Sequence, residues 1–333
     1  MRVLLLLIAA LPCVALAADD TKPVTVRHAA MGTEYRITLY PPSKEMFEEE
    51  VTHLTDEAFA AIDSLEKKIS TWIPESQISK VNEHAGEAPY KTSDEIINLL
   101  QTCKEYYRDS DGGFDVTVGP LLSLWGFYRN QGHLPKDAEL QEALAKVGFD
   151  KIEIDPAAQT VHFKAPGMRI DFGGIGKGLA LDRAAAVLTS LDVKSALLDS
   201  GTSTVVAVGT PPGKDGWTVR IRSPYNKDES IDEVLIRNES LSTSSDAENF
   251  VELDGKKYGH IFDPRTGKPV EGMLSTTAIA PLGIDSDALS TAFFVMGLDK
   301  IRAYCKAHPR VRAIVVVSDG GVLKPVRINF PAK

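Results

Sequence analysis

From Arg169 to the C-terminus the chain reads as a series of short strands that helices interrupt only occasionally. Strand-like segments fall at 196–198, 204–208, 217–222, 233–237, 257–262, 276–280, 313–317 and 323–328. Helical patterning returns at about 177–191 and 287–296, and once more after Gly297. A doubly wound parallel sheet requires strands and helices in alternation, so that class is disfavoured. The pattern predicts an α+β fold, mainly antiparallel sheet with helices packed on one face.

The N-terminal half adds helices. Residues 24–40 alternate in strand fashion around Met31-Gly32-Thr33, which predicts two strands joined at a turn or bulge. Phe47, Val51, Leu54, Ala58, Ile62, Leu65 and Ile69 recur at three- and four-residue steps, the mark of an amphipathic helix. Ser93, followed by Asp94 and Glu95, opens a second helix. After Gly112-Gly113 comes an apolar, loop-rich stretch through Trp125-Gly126-Phe127, then a polar connection to about Lys136. Asp155-Pro156 marks a hairpin turn between 151–154 and 161–164.

The first residues predict export. Arg2 precedes an apolar run, and Ala15-Leu16-Ala17 supplies a small-x-small cleavage pattern, which assigns 1–18 to a signal peptide and leaves 19–333, room for one large domain or two small ones. The run is shorter than the roughly 20 residues a membrane span needs. Pro12 before Cys13 disfavours a lipid anchor there, and no later segment reads as a transmembrane span. The expected location is the periplasm. A net charge of −9 without a basic stripe argues against a nucleic-acid partner. Cys103 and Cys305 are the two cysteines of the mature chain; Cys103 reads as buried, and a disulfide between the two stays open.

Three segments carry candidate chemistry. Asp171-Phe172-Gly173-Gly174-Ile175-Gly176-Lys177-Gly178 follows a strand-like stretch at 168–170 and leads into a helix. Its glycines admit a ligand close to the backbone, and a helix N-terminus with Lys177 favours a phosphate. It is neither a Walker P-loop nor G-x-G-x-x-G, and by itself it reads equally well as a tight turn with a solvated lysine. Asp287 and Thr291, four apart at the start of a helical run, share one face and suit a hard cation such as Mg²⁺. The plainer reading there is an aspartate near a helix N-terminus satisfying backbone donors. His260, in His260-Ile261-Phe262-Asp263-Pro264, is of the residue type whose unperturbed pKa lies near neutrality and suits a general base, although a lone histidine at a strand end is more often structural. No G-x-S-x-G elbow and no zinc spacing accompany them.

Together these segments resemble the ApbE family of flavin transferases. Met31-Gly32-Thr33 resembles its M-G-T motif, and Ser70-Thr71-Trp72 its S-T-Y segment with Trp for Tyr. The run from Gly113 to Leu121 followed by Trp125-Gly126-Phe127, the Asp171–Gly178 turn, the Ser200–Gly209 strand, the His260–Gly267 turn and the Asp287–Ala292 helix complete the set in order. The resemblance implies an ApbE-like, T-fold-related α+β enzyme that takes FAD as substrate and Mg²⁺ as cofactor. By the same carry-over, Met31, Trp72, Gly113, Phe114, Asp115, Asp171, Lys177 and Ile261 line the FAD site. Asp287, Thr291 and the carbonyl of Gly174, with that of Ser290, hold the metal. His260, Asp287 and Lys177 are the catalytic candidates. Gly176 stands where an Ala is often found, and Thr243–Glu248 lacks the family's Gly and Tyr, which bears on target choice.

The implied reaction moves FMN from FAD onto a Ser/Thr hydroxyl of a partner, a respiratory complex subunit or an exported flavin domain, and releases AMP. Two rivals remain at this stage. The same site could use water as acceptor, making an FAD pyrophosphatase, or the chain could be a flavin-binding carrier without turnover.

Overall fold

The computed structural model describes residues 22–43, 46, 48–128, 133–201, 203–226, 228–245 and 250–331. The signal segment at 1–18 with Cys13, and also Phe47, Thr202 and Asp246 to Glu248, lie outside the described residues.

Eight strands form one sheet: β1 (Val24–Ala30), β2 (Thr33–Leu39), β3 (Ala196–Asp199), β4 (Thr204–Val208), β5 (Ser240–Ser245), β6 (Ser275–Ala280), β7 (Arg312–Asp319) and β8 (Val322–Ile328). They lie side by side in chain order, and every neighbouring pair is antiparallel. The sheet is therefore a meander, with long excursions between successive neighbours that build its two coverings. Met31 and Gly32 join β1 to β2 at φ 50° and 72°, the left-handed pair that a two-residue turn of this twist requires.

One face carries α1 (Glu48–Ile69), α2 (Gly176–Ser190) and α3 (Gly283–Met296), as the sequence predicts. A hairpin of Trp217–Arg222 and Ser230–Ile236 covers the other face, where Trp217, Ile221, Val234 and Ile236 pack on Leu241, Ile279 and Ile314. The alternation of strand side chains separates the two layers. In β6, Ala278 and Ala280 meet Leu289 and Phe293 of α3, while Ile279 points to the hairpin. The alanines let α3 sit close to the sheet.

Several local expectations change. The stretch at 168–170 is not a strand; the side chain of Asn82 binds both the N–H and the carbonyl of Ile170 at 2.7 and 2.8 Å and holds it extended instead. The segment expected at 257–262 splits into Lys256–Gly259 and Phe262–Asp263. The loop-rich stretch contains a short helix, Gly119–Leu124, with Pro120 in its first turn, where proline's missing N–H costs nothing. Helices Gln77–His84 and Asp137–Leu144 were not foreseen. Cys103 and Cys305 are both free and buried, in separate clusters, so the disulfide left open above is absent. Among the described residues no helix is long and apolar enough to cross a membrane.

Candidate active site

Asp287 sits in the second turn of α3, because that helix begins at Gly283 rather than at Asp287. Its carboxylate is buried and reaches across to the next helix: Oδ2 accepts the N–H of Gly178, in the first turn of α2, at 2.8 Å. Asp182 of α2 returns the contact, accepting the N–H groups of Gly283 and Ile284 at 2.6 and 2.8 Å. Neither helix has a side-chain cap of its own, so each aspartate caps the other's helix. The two N-termini can approach only because glycines meet there.

The sheet side of Asp287 is a seam of hydroxyls. Thr204 and Ser242 donate to Oδ1 at 3.2 and 3.3 Å, Ser240 bonds Ser286 at 2.6 Å, and Ser244 bonds Ser290 at 2.9 Å. The weak strand former Ser-Leu-Ser-Thr-Ser-Ser of β5 is thus explained: its even-numbered serines pair with α3. Among the described residues Asp287 has neutral hydrogen-bond donors and no ion-pair partner. Buried charges are as a rule paired or coordinate a metal.

In front of it opens a cleft of about 720 Å³, within the range of roughly 300–1,000 Å³ of small-molecule sites. Met31, Trp72, Gly113, Phe114, Asp115, Asp171, Gly174, Lys177, His260, Ile261, Asp287 and Thr291 all line it. Ser290 does not: its hydroxyl lies in the seam, and its carbonyl accepts Thr276 Oγ1 at 2.9 Å. Thr291 Oγ1 lies 3.3 Å from where a Cβ on Gly174 would stand, so these two face each other directly. Lys177, partly buried, pairs with no carboxylate among the described residues. Of the helix N–H groups expected to face an anion, that of Gly176 is taken by Phe172 O at 2.8 Å and that of Gly178 by Asp287. Lys177 is the one full positive charge this turn brings to the cleft.

The other residues shape the walls. Asp171 is held by the protein: it accepts Gly173 N–H at 2.7 Å, Tyr128 OH at 2.7 Å and Thr71 Oγ1 at 3.1 Å, which ties the glycine turn to both neighbouring segments. Trp72, 68% exposed, stands edge-on to Tyr128 at the mouth. Trp125 Nε1 donates to Gly267 O at 3.1 Å, and Phe127 meets Phe262 edge-to-face, which locks the His260 turn against the segment that follows Gly119. Trp125 and Phe127 lie more than a hundred residues from that turn in sequence. The partners of Asp287 (Thr204, Ser242, Gly178) and the capping role of Asp182 were not singled out from the sequence. No local signal marks them, since each contact crosses more than 40 positions.

Asp115 is buried beneath the cleft and accepts the N–H groups of Thr117 and Phe149 at 2.8 and 3.1 Å. Burial raises its pKa to about 6, partly offset by those hydrogen bonds. A carboxyl with a raised native pKa holds its proton longer in the folded state, so its contribution to stability falls as pH rises from about 4 to 6 and is flat above. The stability of wild type relative to Asp115→Asn is therefore predicted to drop by about 1–3 kcal/mol across that window. Urea unfolding at pH 4 and pH 7 reads this, and a pH-independent difference would show that folding leaves the Asp115 pKa unchanged.

Among the described residues a buried carboxylate without a counter-ion, a hydroxyl facing the glycine turn and a lysine without a carboxylate partner thus line one cleft. The family model described as the ApbE family matches residues 31–315, and the chain belongs to that family. It is 30% identical over 319 residues to the FAD:protein FMN transferase of Klebsiella pneumoniae, covering 94% of this chain and 95% of that one. Among solved structures, the ApbE protein of Thermotoga maritima superposes with a TM-score of 0.82 at 31% identity, covering 91% of this chain and 97% of the other. The Pseudomonas stutzeri flavinyl transferase ApbE, apo form, matches with a TM-score of 0.80 at 28% identity, covering 92% and 95%.

Proposed function

We propose that this chain is an exported FAD:protein FMN transferase that uses Mg²⁺ to move FMN from FAD onto a Ser or Thr hydroxyl of a periplasmic or membrane-bound partner. The enzyme class rests on family membership and on relatives that carry this activity in their names. The observation that carries the metal-dependent reading is Asp287: buried, charge-complemented by no side chain among the described residues, and open with Thr291 to the cleft that holds Lys177.

Among the described residues no three His, Cys, Asp or Glu side chains converge. One carboxylate with a hydroxyl and a backbone carbonyl suits Mg²⁺, which takes one or two carboxylates and leaves its remaining positions to water and substrate phosphates. Asp287, Thr291 and the carbonyl of Gly174 would hold it; Ser290 is left out because it does not line the cleft. When bound, the ion neutralises charge on the diphosphate.

The protein's own groups do the rest. Lys177 holds a phosphate oxygen, and the aromatic wall at Trp72 and Phe114 orients the flavin end. The acceptor hydroxyl attacks the FMN-side phosphorus; a new oxygen–phosphorus bond forms as the bond to AMP breaks. His260, on the cleft wall, takes the hydroxyl proton, and AMP leaves with the bridging oxygen.

The test is incubation of the mature protein with FAD and Mg²⁺, with and without a candidate exported flavin domain. Acceptor-dependent AMP together with an FMN-sized mass gain on the acceptor is the expected result. AMP and free FMN without acceptor would replace the transferase by a pyrophosphatase, and bound FAD without AMP would leave a carrier.

A further inference from the structure

Among the described residues four carboxylates line the cleft: Glu66, Asp115, Asp171 and Asp287. The protein itself engages three of them. Asp115 accepts the N–H groups of Thr117 and Phe149, and Asp171 accepts the Gly173 N–H and the hydroxyls of Tyr128 and Thr71. Asp287 accepts the Gly178 N–H and the hydroxyls of Thr204 and Ser242. Glu66 accepts no hydrogen bond and forms no ion pair among the described residues. It is nonetheless partly buried, because it stands four after Ile62 and three before Ile69 on the face that α1 turns inward. A carboxylate withdrawn from water in this way costs free energy unless a donor meets it. Lys177 on the same cleft is not that donor, since it too lacks a carboxylate partner.

The surroundings of Glu66 place it beside the glycine turn. Ile69 Cδ1, from the same end of α1, lies 3.1 Å from where a Cβ on Gly176 would stand, and Met31 Cε lies 3.6 Å away. The end of α1 is thereby set against the residue before Lys177. Tyr35, fully buried, donates to Met31 Sδ at 3.1 Å. Burial raises the pKa of this tyrosine, and the charges of Asp287 and then Glu66 raise it further, so both carboxylates lie near its hydroxyl. Glu66 therefore belongs to the end of the cleft that Lys177 and Asp287 assign to phosphate. A carboxylate there repels the phosphate and attracts neutral O–H donors. In FAD the O–H groups nearest the diphosphate are those of the ribityl chain on one side and the ribose on the other, and both carry vicinal diols.

We infer that Glu66 accepts hydrogen bonds from a vicinal diol flanking the diphosphate of the dinucleotide, so that the site reads the sugar as well as the rings and phosphates. The inference rests on the transferase reading above and adds a binding residue to it.

The test is a cycle of affinities, read by flavin fluorescence with Mg²⁺ and without acceptor. The ligands are FAD, an analogue with a hydroxypentyl chain in place of the ribityl, and one with 2′,3′-dideoxyadenosine in place of adenosine. Wild type is expected to bind one analogue about tenfold more weakly than FAD, and which one it is names the diol. Glu66→Gln binds FAD about tenfold more weakly than wild type, and binds FAD and that analogue within about twofold of each other. Its affinity for Mn²⁺ alone, read by electron paramagnetic resonance, stays at the wild-type value. Equal penalties on the analogues in both proteins, a penalty on neither, or an unchanged FAD affinity in Glu66→Gln overturns the inference. A loss of Mn²⁺ affinity matching the loss of FAD affinity also overturns it, by assigning Glu66 to the cation. A failed transferase reading shows separately, as FAD bound without AMP release with every acceptor.

Discussion

Asp287→Asn is expected to fold like wild type and to lose FMN transfer by about 10²–10³-fold, the scale on which removal of one electrostatic contributor acts. The asparagine has the same shape. Its oxygen can accept the Gly178 N–H, and its amide can donate to Thr204 and Ser242, whose hydroxyls rotate to receive it. What disappears is the negative charge. Asp287→Ala removes the acceptor as well and strands the Gly178 N–H in a buried place, at about 1–3 kcal/mol for an unsatisfied group. The pair of variants separates the two roles: AMP release and acceptor mass gain report the charge, and thermal unfolding reports the cap. Near-wild-type turnover in Asp287→Asn would remove the metal from the mechanism. An equal loss of stability in both variants would remove the shape argument.

Most of the sheet is legible in the sequence because its strands are short, β-rich and separated by turn residues; the serine-rich β5 (Ser240–Ser245) is not among the expected strands. Residues marked by motif, from positions as distant as Met31 and Thr291, are brought by the fold to one cleft. What it missed has one physical cause. Helix α3 was placed four residues late because its cap, Asp182, lies on another helix, and Leu282-Gly283 carries no local start signal. The strand expected at 168–170 is held by the side chain of Asn82, a contact across 88 positions that no periodicity records. Helix Gly119–Leu124 was hidden because Gly-Pro reads as a turn. The seam behind Asp287 was invisible for the same reason: serine disfavours strands, and only the facing α3 explains three of them in β5. Local chemistry was legible; the contacts that aim it were not.

Gly178→Ala is expected to destabilise the protein and disable the site together. A Cβ there would stand 2.1 Å from the carbonyl oxygen of Gly283, 2.5 Å from its carbon and 2.7 Å from Asp287 Cβ. The first two neighbours are backbone, so no side chain can swing aside, and α2 and α3 must move apart. Moving them stretches every link at the junction: Gly178 N–H to Asp287, and Gly283 and Ile284 N–H to Asp182. Alanine's helix propensity returns about 1 kcal/mol, which the overpacking cost of about 1–3 kcal/mol and the weakened caps outweigh. A fall in melting temperature of about 2–6 °C follows for a chain of this size. Gly86→Ala is the control: nothing lies within 4 Å of its Cβ position and its φ is ordinary, so stability stays level or rises by about 0.4–1 kcal/mol. Because Asp287 is aimed by the same junction, the folded fraction of Gly178→Ala should also transfer FMN more slowly than wild type at equal FAD occupancy. If stability fell while turnover per folded molecule held, the reciprocal caps would serve the fold alone, and Asp287 would take its aim from the hydroxyls of Thr204 and Ser242.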